Sequence, residues 1–154
     1  MTDTRETALV YCEGQFDMVD GKTAAGLVRH SEIYSILGVI DSRLAGQDAG
    51  EALGDEKNGI PIFSDLDEAL DSLKEIPSCY IYGKAPLEAS IPHNERLLVL
   101  EAIKKGMNII NGLHQFFSDD SEFSQVAAQY GVEIKDIRKP PQLEDLHVFT
   151  GKIS

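Results

Sequence analysis

Short, almost unbroken apolar runs alternate with longer amphipathic stretches along this chain. TALVYC (Thr7–Cys12), YSILGVI (Tyr34–Ile40), IPIF (Ile60–Phe63), CYIY (Cys79–Tyr82) and NIIN (Asn108–Asn111) read as strands buried on both faces. Pro61 lacks a backbone donor and belongs at the start of its strand. Between these runs the apolar period lengthens. A helix is expected from about Lys22 to Ser31 and another from His93 to Lys105, closed by Gly106. Leu66, Ala69, Leu70 and Leu73 fall at i, i+3, i+4 and i+7, and Phe123, Val126, Ala127 and Tyr130 repeat that stripe. Ser64 is the expected cap of the first of these two helices. Asp119, with Glu122 three residues on, is the expected cap of the second, and Gly131 its stop. Residues 44–59 predict a loop with one helical turn. Val132–Ile137 alternates apolar and polar and predicts a sixth strand at an edge.

The stretch from Cys79 to Asp120 organises the rest. Two strands joined by a helix of more than ten residues form a βαβ unit, since no tight turn can join parallel strands. Extended along the chain, the pattern predicts an α/β fold. It is a Rossmann-like, doubly wound, mostly parallel sheet of about six strands with helices on both faces. Residues 1–140 form this domain, and 141–154, beyond Pro140-Pro141, an extended, linker-like tail. In open sheets of this kind ligands bind beyond the strand carboxyl ends. Gly83 and Gly112 directly follow two strands and Gly14 lies two residues past a third, so the expected ligand edge is rich in glycine.

Charge and composition narrow the classes. With 42% hydrophobic and 26% charged residues, the 154-residue chain fits one globular domain. A formal charge of −12 opposes nucleic-acid and anionic-membrane binding, though not one nucleotide held by local amides. No apolar run approaches a membrane span, and MTDTRETALVYC lacks a signal-peptide core, so a cytoplasmic protein is expected. Cys12 and Cys79 sit in apolar runs and read as buried structural thiols; neither a C-x-x-C pair nor a metal spacing is present.

The candidate chemistry is sparse. The G-x-G-x-x-G fingerprint is missing after the first strand, because Gly14, Gly21 and Gly26 are too widely spaced. Gly21-Lys22-Thr23 imitates the end of a P-loop, but Phe16 stands where its first glycine belongs. Lys22 at a helix start remains a candidate anion contact. Asp41 closes the second strand, where an acid can receive a ribose diol, and Arg43 beside it can meet a phosphate. His114, just past Gly112, is the one histidine placed as an acid, base or ligand contact. The catalytic residues are otherwise unassigned.

GIPIFSDLDEAL, YIYGKAP and LEAIKKGMNIINGL loosely resemble the CoA-binding Rossmann domain of the succinyl-CoA synthetase type. GKTAAGLVRH, GVIDSRLAG, GIPIFSDLDEAL, NGLHQFFSDD and DIRKPP together resemble, over nearly the whole chain, the amino-terminal domain of another family. That two-domain family was first described as a domain of unknown function and includes D-glutamate N-acetyltransferases of the DgcN type. The resemblance implies a nucleotide- or CoA-type ligand, with acetyl-CoA as acyl donor, and a P-loop domain or subunit as partner. No P-loop motif follows FTGKIS, so the chain by itself is expected to be a binding half rather than a full enzyme. A free-standing NAD(P)-type oxidoreductase or epimerase, and a structural module pairing with a separate P-loop subunit, are the alternative readings. Homo-oligomerisation is left open.

Overall fold

The structure, a computed structural model, describes residues 5–18, 22–30, 33–84, 91–111 and 117–136. Six strands form one sheet: β1 (Glu6–Tyr11), β2 (Tyr34–Ile40), β3 (Ile62–Phe63), β4 (Cys79–Tyr82), β5 (Asn108–Asn111) and β6 (Ile134–Asp136). Their spatial order is β3-β2-β1-β4-β5-β6 and every neighbouring pair is parallel. The order reverses between β1 and β4, which makes that gap the topological switch point of a Rossmann-type sheet. The expected α/β architecture is therefore present. The tail 141–154 lies outside the described residues.

Side-chain alternation splits the core into two layers. Ala8 and Val10 of β1, with Cys12 just past it, face one way and pack with Ala24 of α1 (Lys22–His30) and Ala49 of α2 (Ala49–Ala52). Leu9 and Tyr11 face the other way. They meet α3 (Leu66–Ser72), α4 (His93–Lys104) and α5 (Ser121–Tyr130) through Leu66, Val99, Ile103, Phe123 and Ala127. The helices thus cover both faces, as a parallel sheet requires.

Several local expectations shift by a residue. Asp65, not Ser64, caps α3 by accepting the Glu68 amide at 2.8 Å, while Ser64 donates its own amide to the Glu68 carboxylate. Asp120, not Asp119, caps α5 through the Phe123 amide at 3.0 Å, because Phe117–Asp119 is already wound into a 3-10 turn. Glu122 therefore falls in the first turn of α5, out of capping-box register, and instead pairs with Arg96. Gly131 does close α5, with φ 72°. Tyr130 is exposed, so that stripe is shorter than its spacing implied. The third strand begins at Ile62; Pro61 before it bridges Asp48 in antiparallel sense and accepts the Val39 amide at 3.0 Å. In the 44–59 stretch the helical turn is α2, preceded by a 3-10 turn at Ser42–Leu44. Phe117 is fully buried edge-on to Tyr82 and Phe123, which explains one of the adjacent phenylalanines as core.

Arg96 of α4 ties α5 down. Its guanidinium lies 4.3 Å from the Phe123 ring centre and bonds Asp120 at 2.6 Å and Glu122 at 2.9 Å. One buried polar atom has no partner among the described residues, the Tyr80 hydroxyl. Tyr80→Phe removes an unsatisfied group at almost constant volume. The expected outcome in urea unfolding is a gain of about 1 kcal/mol; a loss would mean that the hydroxyl is satisfied in solution.

Candidate functional site

The carboxyl ends of β1 and β4 carry the densest polar construction in the described structure. Glu95 lies in the first turn of α4 and is 2% exposed. Its side chain points into the sheet because it shares a stripe with Val99, Ala102 and Ile103, all buried. Three groups donate to its carboxylate. The Tyr11 hydroxyl reaches Oε2 at 2.8 Å, the Lys84 ammonium reaches Oε2 at 2.7 Å, and the Tyr82 hydroxyl donates to Oε1. Tyr11 ends β1, Tyr82 ends β4, and their rings stack at 5.6 Å across the switch point. Burial, with the bond to Glu95 next in importance, holds both phenols far above the ordinary tyrosine range, so they remain donors.

Gly83 separates this network from α1. Its amide bonds the Tyr11 carbonyl at 2.9 Å, extending the β1–β4 pairing by one residue. A β-carbon at Gly83 would lie 3.3 Å from both the Ala24 side chain and Val10 Cγ1. The glycine thus lets the first turn of α1 settle close to the end of β4. Gly14 has φ 80° and open space beside it, so the turn after β1 requires its left-handed backbone. Cys12 lies against the Gly83 carbonyl, 3.8 Å away. Burial, and secondarily the Asp41 charge, push its thiol up to about 12, and burial first of all takes Cys79 up to about 11. Both cysteines are free and buried, as expected, and neither is ionised at neutral pH.

Asp41 follows β2 and is fully buried. Oδ2 accepts the Phe16 amide at 3.1 Å and Arg43 Nη2 at 2.7 Å. Oδ1 accepts the Arg43 amide at 3.1 Å and Nε at 3.2 Å. Both oxygens therefore serve the chain itself and anchor the loop between β1 and α1. Arg43 also bonds Asp17 at 2.9 Å, and Glu13 receives the Ser42 amide and hydroxyl. The position past β2 is acidic on balance, with one guanidinium among Asp41, Asp17 and Glu13.

Asp136 plays the same part at β6. It accepts Asn111 Nδ2 at 2.8 Å and the amides of Phe117 at 2.8 Å and Ser118 at 3.0 Å. Burial alone would raise its pKa, but the bonds from Ser118, Asn111 and Phe117 outweigh that and hold it below the usual aspartate range. An acid whose folded pKa lies under its unfolded value stabilises the fold above the unfolded pKa and loses that contribution as pH falls through the folded one. Stability is therefore expected to fall as the pH drops below about 4, the ordinary range for aspartate. Asp136→Asn should flatten that part of the profile; thermal unfolding at a series of acidic pH values checks it.

Of the residues singled out in the sequence, Gly14, Asp41, Arg43 and Gly83 surround the β1–β2–β4 ends. Lys22 opens α1, with its side chain outside the described part. Gly112 and His114 lie outside the described residues. Sequence reasoning missed Tyr11, Tyr82 and Glu95; the available signal was an acid at i of a stripe continuing at i+4, i+7 and i+8. Among the described residues no group of three or more His, Cys, Asp and Glu side chains could hold a metal, and no helix is long and apolar enough to cross a membrane. Two open grooves lie beside α2, one lined in part by Asp48, Glu51 and Pro61, the other by Val28, Arg29 and Asp55, with Lys57 shared.

A parallel sheet in this order, with a glycine-shaped switch point and no phosphate fingerprint, defines a Rossmann-like domain of variant sequence. Residues 42–140, more than half the chain, match the family model described as "Domain of unknown function (DUF1611_N) Rossmann-like domain". The chain belongs to that family. It is similar to the crystal structure of a DUF1611 family protein from Anabaena variabilis, with 30% identity and a TM-score of 0.77; the match covers 89% of this chain and 38% of that one. A homoserine dehydrogenase from Thiobacillus denitrificans has 20% identity and a TM-score of 0.54, with 86% of this chain and 29% of that one covered, a likeness of fold alone. The chain thus spans well under half the length of either protein. No curated protein matches it.

Proposed function

We propose that this chain is the ligand-binding, Rossmann-like half of a DgcN-type N-acetyltransferase. Its switch-point crevice receives a nucleotide-type ligand, acetyl-CoA or CoA. The observation that carries this reading is the reversal of strand order between β1 and β4, bordered by Gly14 on one side and Gly83 on the other. The family match supports the Rossmann-like half, and the motif resemblance implies the acyl-transfer class, with the acceptor D-glutamate handled by a P-loop partner domain. In this reading Gly14 and Gly83 offer backbone to the ligand. Asp41 and its partner Arg43 hold the loop in place, and Lys22, Gly112 and His114 are the further candidate contacts.

Thermal unfolding of the purified chain with acetyl-CoA, CoA, NAD or ATP tests it. A ligand at 100 times its dissociation constant adds about 2.7 kcal/mol. A shift with acetyl-CoA and CoA is expected. A shift with NAD alone would favour an oxidoreductase instead, and no shift with any of the four would sink the reading.

A further inference from the structure

We propose that Lys84 receives a phosphate or pyrophosphate group of the crevice's ligand, and that Glu95 is the positioning residue that holds it there. The inference rests on the functional reading above and names the chemistry recognised at that site.

A ligand of several negative charges meets a chain of net charge −12, so it needs a local cation held at the ligand edge. Three arginines of the described residues are poorly placed for this. Arg43 faces Asp41 and Asp17, Arg96 faces Asp120 and Glu122, and Arg29 is tied to Asp55 and the Leu53 carbonyl. Lys84 is different. The carboxylate it meets, Glu95, is shared with two phenol donors that already stabilise the negative charge. An ammonium has three donors, and Glu95 Oε2 takes one of them at 2.7 Å.

Position strengthens the case. Lys84 follows Gly83 directly at the carboxyl end of β4, beside the switch point. Its side chain is largely buried but keeps 15% exposure against 3% for Glu95, and the Glu95 carboxylate holds the ammonium at 2.7 Å. On the other side of Gly83 the first turn of α1 packs through Ala24, and the positive end of that nine-residue helix adds to the field. The lysine and the helix start thus come from opposite faces of the sheet toward one crevice. Without Glu95 the four-carbon stem would sample many rotamers; with it, the charge is pre-organised.

Calorimetric titration of inorganic pyrophosphate and of CoA into the wild-type chain, Lys84→Met, Lys84→Arg and the double variant K84M/E95Q tests the proposal. The double variant removes both charges together and so guards against a folding defect from a stranded carboxylate. Pyrophosphate should bind the wild type, at least tenfold more weakly after Lys84→Met or in the double variant, and within about threefold after Lys84→Arg, since the charge is kept. For Glu95, the readout is the Lys84 ammonium resonance: visible in the wild type, shifted by pyrophosphate, and broadened by Glu95→Gln. If CoA and pyrophosphate bind all variants alike, or the resonance is indifferent to Glu95→Gln, this inference is wrong while the functional reading survives. If pyrophosphate binding depends on Lys84 but CoA does not bind, the inference holds and the functional reading fails. If neither ligand binds the wild type, both fall.

Discussion

Glu95→Ala lowers stability by about 3–5 kcal/mol in denaturant unfolding, the largest single effect expected in the molecule. The carboxylate is buried and receives three donors, so its removal leaves two tyrosine hydroxyls and one largely buried ammonium without their acceptor. The penalty comes mainly from the groups left behind, not from the net strength of the pair. Glu95→Gln keeps an acceptor oxygen and the side-chain volume and should lose less than half as much. A loss under about 1 kcal/mol for Glu95→Ala would show that water readily replaces the carboxylate and that the network is not buried in solution. With total stabilities of small domains at about 5–15 kcal/mol, the alanine variant should be folded but marginal.

Asp41→Ala is expected to lose about 3 kcal/mol, and to lose it locally. Its carboxylate is the acceptor for the Phe16 amide, and Phe16 is itself fully buried, so the amide would be left unpaired beside an apolar ring. Arg43 retains Asp17 and stays solvated, which limits the damage on that side. Hydrogen exchange distinguishes this from a global effect: the Phe16 and Arg43 amides should lose protection well beyond those of β4 and β5. Equal loss of protection across the sheet would contradict the assignment of Asp41 as a loop anchor.

The fold was largely legible because its signals are periodic. A parallel strand buried on both faces must be a short apolar run, and each run from Thr7 to Asn111 became a strand within two residues at either end. Helix starts were less legible for a specific reason. Ser118, Asp119, Asp120 and Ser121 are all residue types that cap helices, and a 3-10 turn uses up the first two. Ser64 and Asp65 present the same ambiguity, and the longer carboxylate wins the Glu68 amide. Tyr130 matched the apolar stripe but sits at the last turn, where no facing element covers it.

The candidate site was legible in its glycines and not in its polar side chains. Glycines after strands marked the edge, and Gly14 and Gly83 do stand there. What they do physically differs: one supplies a left-handed turn, the other clearance for a helix. The Tyr11–Tyr82–Lys84–Glu95 network joins Glu95 to residues 11, 13 and 84 positions away in sequence, and no local spacing encodes it. Only the apolar company of Glu95 along its helix hinted that an acid was turned inward. Asp41 shows the converse. Its position past β2 fits a ribose contact, whereas its hydrogen bonds all run to the chain itself.

The most direct measurement is an amide chemical-shift titration of the isotopically labelled chain with acetyl-CoA. The account predicts saturable shifts concentrated at Gly14, Gly83 and Lys84, with the opposite edge around Ile33 and Ile76 unmoved. Shifts confined to that opposite edge, or none at millimolar ligand, would contradict it.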